Sequence, residues 1–175
     1  MGKVFIVADT HFNHKKILEY ENRPYGSVEE MEKSLIRNWN SVVGKEDTVY
    51  HLGDFGFCNI DSTSSILSRL NGNKNLIMGN HDRRHSIRWW MDAGFNKVYD
   101  KPIIYRKFLV LSHEPPEYFN TNTPYIWIYG HVHGCELYQT TTKNSICACV
   151  ERWDYKPFDI DYVLSTNPCF LDIVS

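Results

Sequence analysis

Five short polar patches stand at the ends of apolar runs in this chain, and that arrangement limits how it can fold. The patches are Asp9-Thr10-His11, Gly53-Asp54, Gly79-Asn80-His81-Asp82, His113, and Gly130-His131-Val132-His133. They follow the β-rich runs 4–8, 49–52, 76–78, 109–111 and 126–129. In open α/β sheets ligands gather beyond the carboxyl ends of the strands, so these runs can bring their polar ends to one rim. The order Asp, His, Asp, Asn, His, His, His is what two divalent cations sharing one bridging carboxylate need. Asp54 has two oxygens with which to bridge, and Asn80 offers a neutral carbonyl oxygen. Residues two apart in an extended segment point to one side, so Asp9 and His11 are expected to converge, as are His131 and His133. Mixed nitrogen and oxygen ligation suits Mn, Fe, Ni, Co or Zn better than Ca, and Mn²⁺ is the first expectation.

Between the patches the sequence alternates helix and strand. Ser27 and Glu30 form a capping-box pattern, and Val28, Met31, Leu35, Trp39 and Val42 recur at helical spacing up to a stop at Gly44. A second helix is predicted from 61 or 62 to 70, ended by Gly72, with Ile66, Leu67 and Leu70 buried. A third is predicted over 84–92, ended by Gly94. Strands are expected at 48–52, 75–78, 95–99, 102–106, 108–112, 125–129 and 145–150. The first half alternates strand and helix while the second is mostly strand. This predicts a single α/β domain over 1–175, with two mixed β-sheets packed face to face and helices outside.

Composition narrows the function classes. A net charge of −2 gives no broad basic field for a long nucleic acid. No run of about 18 apolar residues is present, so no membrane-spanning helix is expected. The chain opens on a strand-like run rather than a leader pattern, and its five cysteines show no C-x-x-C spacing. Both points suit reduced thiols in a cytoplasmic protein. Cys147 and Cys149 are expected on one face of a strand, as small buried residues.

The set D-x-H, G-D, G-N-H-D, H, G-H-x-H resembles the calcineurin-like metallophosphoesterases, in particular the small cap-less bacterial and phage type. The resemblance runs from Asp9 to about Phe158. It implies the two-sheet sandwich, and it implies that Asp9, His11, Asp54 and His133 hold one metal. Asp54, Asn80, His113 and His131 would hold the second. It further implies attack on phosphorus by a hydroxide between the metals, with His81 donating a proton to the leaving group and Asp82 orienting groups beside it. Protein Ser/Thr phosphatases of the superfamily carry a longer G-D-x-x-D-R-G motif. Here Gly53-Asp54 continues as Phe55-Gly56-Phe57-Cys58, so the Asp that supports the catalytic His and the following Arg are both absent. That disfavours a dedicated protein phosphatase and leaves the orientation of His81 to another group.

His14, Arg23, Arg83 and Arg84 are candidates for contacting substrate, the arginines because a guanidinium fork matches phosphate oxygens. His51 is expected on the strand beneath the site, His85 at the surface or a helix cap, and Trp153 in a wall without a ligand role. The expected activity is hydrolysis of small phosphomonoesters or phosphodiesters, nucleotides among them. The alternatives are a nuclease acting on DNA or RNA, which the charge disfavours, and a binding scaffold that has lost catalysis. The filled ligand set and His81 argue against the scaffold.

Overall fold

In the computed structural model the described residues are 2–118, 123–166 and 170. Two mixed sheets with flanking helices make up the fold. The first sheet contains β1 (Val4–Val7), β2 (Thr48–His51), β3 (Asn73–Ile77), β4 (Lys97–Tyr99) and β9 (Phe158–Asp159), in the order β4-β3-β2-β1-β9. Strands β1 to β4 are parallel neighbours, and β9 adds an antiparallel edge through Phe5↔Asp159 and Ile6↔Phe158. The second sheet contains β5 (Ile103–Tyr105), β6 (Leu109–Leu111), β7 (Ile126–Tyr129) and β8 (Ser145–Cys147) in sequential order. There β6, β7 and β8 are parallel and β5 is antiparallel.

Strand alternation decides which residues face which layer. Phe5 and Val7 of β1 join Val49 and Leu76 beneath the helices. Ile6 and Ala8 turn the other way and meet Leu109, Leu111, Ile126, Ile128 and Ile146 between the sheets. Strands buried on both faces read as near-continuous apolar runs, which is why 4–8 and 126–129 carry no polar alternation.

The helices α1 (Ile17–Tyr20), α2 (Val28–Asn40), α3 (Ile60–Arg69), α4 (Ile87–Ala93) and α5 (Ile160–Thr166) close the layers. Met31, Leu35, Trp39, Ile66, Leu67 and Trp90 press on the first sheet. Ser27 caps α2 by accepting the Glu30 N–H, as the pattern predicts, but the Glu30 carboxylate returns to Gly26 N–H rather than to Ser27. The helix ends at Asn40, not at Gly44, so Val42 is 38% exposed and Val43 takes the core position. Asn59 caps α3 through its side-chain oxygen, so the helix starts at Ile60, one or two residues earlier than predicted. The third helix starts later than predicted. Asp82–Arg84 form a short 3₁₀ turn, and Ser86 then caps α4 by accepting the Trp89 N–H. Gly94, at φ 127°, ends it as expected. The predicted strand 145–150 stops at Cys147, and Cys149 instead bridges to Ala8. Strand β9 and helices α1 and α5 were not predicted. Cys169, expected as a reduced thiol, lies outside the described residues.

Candidate metal centre

The polar patches occupy the turns that leave β1, β2, β3, β6 and β7, all at the carboxyl ends of their strands. These turns are not extended, and here the structure corrects the convergence argument. Asp9, His11, Asp54, His131 and His133 sit at φ 60°, 50°, 55°, 72° and 46°. Left-handed backbone at a residue other than glycine costs about 1–3 kcal/mol and persists only where surroundings over-determine it. Here the turns hold one another. Asp9 N–H donates to Gly53 O (3.0 Å), His11 N–H to Asp54 O (3.1 Å) and Phe12 N–H to Phe55 O (2.9 Å). Between them Thr10 faces away, its hydroxyl donating to Phe55 O (2.8 Å) and lying 2.9 Å from His51 Nε2.

The seven expected ligands are brought together in two groups that share Asp54. Its Oδ2 lies 3.6 Å from His11 Nε2, and its Oδ1 lies 3.6 Å from His113 Nε2. On the first side, Asp9 Oδ1 is 3.9 Å from His11 Nε2 and 3.8 Å from His133 Nε2. On the second, Asn80 Oδ1 is 2.9 Å from His113 Nε2 and 3.1 Å from His131 Nδ1. The buried atoms Asp9 Oδ1 and His11 Nε2 have no hydrogen-bond partner. Buried polar atoms are rarely left so. Two orphans aimed into one cluster of imidazoles and carboxylates are what a cation site requires, and Asp9, His11 and His133 have donor atoms close enough to share one ion.

Glycines let the turns approach. A Cβ at Gly79 would collide with Asp54 Oδ1 and stand 2.7 Å from Asp54 N, and one at Gly130 would collide with Asp9 Oδ2.

Second-layer hydrogen bonds point the imidazoles. His113 Nδ1 is 2.8 Å from Leu52 O, so the Nδ1 proton goes there and the Nε2 lone pair faces Asp54. His133 Nδ1 is 3.1 Å from Glu151 Oε1, which likewise frees Nε2. Burial and neighbouring cationic groups hold His11 far below the usual imidazole range, and burial brings His113 down to about 4. Burial also disfavours charge on His133. The hydrogen bond to Glu151 and the charge of Asp9 outweigh it, so its pKa rises to about 9. Burial raises the Asp9 and Asp54 carboxyls above their ordinary values.

Other expectations need correction. Arg23 is not available to clamp a phosphate. Its buried guanidinium donates to Asp9 O (2.6 Å), Thr10 O (2.8 Å) and Glu151 Oε1 (2.6 and 3.0 Å). Asp82, expected among the catalytic groups, is fully buried and accepts from Asp54 N–H (2.7 Å), Phe55 N–H (3.1 Å) and Gly79 N–H (2.9 Å). It ties two turns together through backbone amides rather than through the His81 ring; burial lifts its pKa to about 6 against those three bonds. Arg83 pairs with Glu114 at 3.3 Å on the surface. Arg84 bonds His81 O (2.9 Å) and Gly56 O (3.3 Å) and lies over the Phe57 ring, outside the residues that line the cleft. His14 does line it, its Nδ1 3.2 Å from His11 Nδ1 and its ring stacked on Phe57. His51 sits on β2 beneath the turns, as expected. His85 stacks on Trp89, and the cap is Ser86.

His81 projects into the cleft, half-exposed, with Nε2 3.9 Å from Asp54 Oδ2. Its ring leans on Phe57 at 5.0 Å, the residue that stands at the sequence position of the second Asp in the longer G-D-x-x-D-R-G motif. Sequence reasoning missed Glu151. The one signal was its place in the segment after β8, directly beyond the strand next to β7.

A sequence model described as calcineurin-like phosphoesterase matches residues 2–165. An uncharacterized protein of Methanocaldococcus jannaschii is 35% identical over 94% of this chain and 90% of its own. Gene 66 protein of Mycobacterium phage L5 is 38% identical over 50% of this chain and 43% of its own length. A crystal structure of a protein of unknown function from Aquifex aeolicus superposes with a TM-score of 0.69 at 28% identity, covering 93% of this chain and 98% of that one.

Proposed function

Because the chain belongs to the calcineurin-like phosphoesterase family, we propose that it hydrolyses small phosphoesters, nucleotides among them, with two divalent cations shared across Asp54 and His81 as proton donor. The observation that carries this reading is the division of Asp54: each oxygen is 3.6 Å from a different imidazole, beside the orphaned Asp9 Oδ1 and His11 Nε2. Asp9, His11, Asp54 and His133 would hold one cation, and Asp54, Asn80, His113 and His131 the other. When bound, such a pair lowers the pKa of water and neutralises charge on the phosphoryl oxygens. The donor set of imidazoles, carboxylates and one amide fits Mn²⁺, with Fe, Ni, Co and Zn as the other candidates.

The chain's own residues do the rest. His81 lines the cleft half-exposed beside Asp54, and in this reading its imidazole hands the leaving oxygen a proton. Asp82 holds the amides of Asp54 and Gly79, which keeps the bridging carboxylate in register with Asn80. Glu151 and Arg23 keep His133 and the Asp9 turn in place. Among the described residues no helix is long and apolar enough to cross a membrane. The four cysteines among the described residues are free, which is consistent with a reducing, cytoplasmic setting.

The test is hydrolysis of p-nitrophenyl phosphate and bis-p-nitrophenyl phosphate with added Mn²⁺, beside His81→Ala. Turnover should require metal, and the variant should lose about 10²-fold in kcat while binding as much metal. The ratio of the two esters assigns monoesterase or diesterase. Full turnover in His81→Ala would remove its role, and metal binding without any turnover would favour the scaffold.

A further inference from the structure

We propose that Tyr20 and Lys16 form a leaving-group subsite, so that the substrate is a phosphoester whose leaving group is itself a free nucleotide. The inference rests on the hydrolase reading above. The metal-ligand cluster opens into a cleft of about 390 Å³, within the range that takes one small ligand. One wall is α1 with the residue before it. Ile17 is buried and anchors this short helix, while Lys16 and Tyr20, four apart, stand on one face and both line the cleft.

Packing does not explain Tyr20. It is 65% exposed although it borders a cleft, and among the described residues the one aromatic ring paired with it is that of His14, near-perpendicular at 6.4 Å. Phe57 is the other carbocyclic ring of the lining, and its faces are taken. The His14 ring stacks on it at 4.1 Å and the Arg84 guanidinium lies 4.0 Å from its centroid. Two planar groups cannot share one face at that distance, so they cover both. Tyr20 therefore supplies the open aromatic face, and a base stacks on such a face with little regard to its identity.

Lys16 forms no ion pair among the described residues, although it stands beside the cleft. Glu21, the carboxylate on the same wall, accepts the Gly134 N–H at 3.3 Å. A free ammonium one helical turn from a free ring matches a base and the phosphate attached to the same nucleoside. In the reaction, water oxygen bonds the phosphorus held at the cluster, and the P–O bond to the nucleotide breaks. The leaving hydroxyl takes its proton from His81. A free nucleotide is favoured over a strand by the size of the cleft and by the net charge of −2.

Three esters separate the terms: glycerol 2-phosphate, adenosine 3′-phosphate and adenosine 3′,5′-bisphosphate, read by phosphate release with Mn²⁺. In the wild type kcat/KM should rise along that series. Tyr20→Ala should remove about tenfold of the advantage of adenosine 3′-phosphate over glycerol 2-phosphate, through KM, and Tyr20→Phe should keep it. Lys16→Ala should remove the advantage of the bisphosphate over the monophosphate and leave the first step in the series. Titration of adenosine 5′-phosphate into His81→Ala should show binding that Tyr20→Ala weakens. Wild-type protein that hydrolyses none of the esters overturns the hydrolase reading, while the titration still judges the subsite. Hydrolysis without a rise along the series, or equal losses for all three esters in the variants, overturns the subsite alone. A single-stranded oligonucleotide cleaved faster than the bisphosphate overturns the free-nucleotide assignment.

Discussion

Replacing Arg23 with Met tests whether the metal turns are braced from beneath. The side chain is fully buried, and the change removes five donated bonds at once: two to Glu151, one to Asp9 O, one to Thr10 O and a weak one to Met31 Sδ. Removing one partner of a buried ion pair costs about 3–5 kcal/mol, because the other charge stays buried. Each carbonyl left without a donor adds about 1–3 kcal/mol. Glu151 keeps its bond from His133, and the turn can relax toward ordinary φ, so these contributions overlap. The expected loss is about 4–6 kcal/mol, or roughly 10–20 °C in Tm for a domain of this size. Urea melts of metal-free protein measure it. Glu151→Gln should cost less in the Arg23→Met background than alone, since the carboxylate has already lost its guanidinium partner there. A loss under about 1 kcal/mol for Arg23→Met, or strictly additive effects in the pair, would refute the bracing argument.

Three further outcomes are expected. His51 is fully buried, and burial takes its pKa from 6.5 down to about 3. The unfolded chain therefore binds the extra proton between those values, so His51 stabilises the fold above pH 6.5 and loses that contribution as pH falls toward 3. Near pH 5 the loss is about 2 kcal/mol, and denaturant melts of His51→Gln should show a flatter acid limb. Asp54→Asn should weaken both metal sites together, read as lowered stoichiometry in metal titrations; two ions bound as tightly as in the wild type would remove Asp54 from the centre. Gly79→Ala should cost about 1–3 kcal/mol and lower metal affinity, because the new Cβ displaces Asp54; unchanged affinity would mean that the turn shifts freely.

Much of the fold was legible because it depends on short-range patterns. The alternation of short β-rich runs with amphipathic helices specified two mixed sheets with helices outside, and the Ser27 and Gly94 boundaries followed from capping chemistry. Boundaries failed where a local competitor intervened. Asn59 captured an N-terminus, and Asp82 drew the 79–84 segment into a 3₁₀ turn, which delayed α4 to Ser86. Strand β9 is two residues long and antiparallel to β1, far away in sequence, so its own pattern carries almost no signal.

The site divides in the same way. Which residue types stand at strand ends is written locally, so Asp9, His11, Asp54, Asn80, His113, His131 and His133 could be named as a ligand set from the sequence. The placements of Arg23, Asp82, Glu151, Lys16 and Tyr20 were not written there. Arg23 and Glu151 are 128 residues apart and meet only because β1 and the segment after β8 lie side by side. A free arginine and a buried one look alike in sequence, and so do a packed tyrosine and one facing a cleft. Burial and partnership are properties of the packed layers. The sequence by itself determined the chemistry available at the rim; tertiary structure alone decided which charges hold the rim in place and which remain free to meet a substrate.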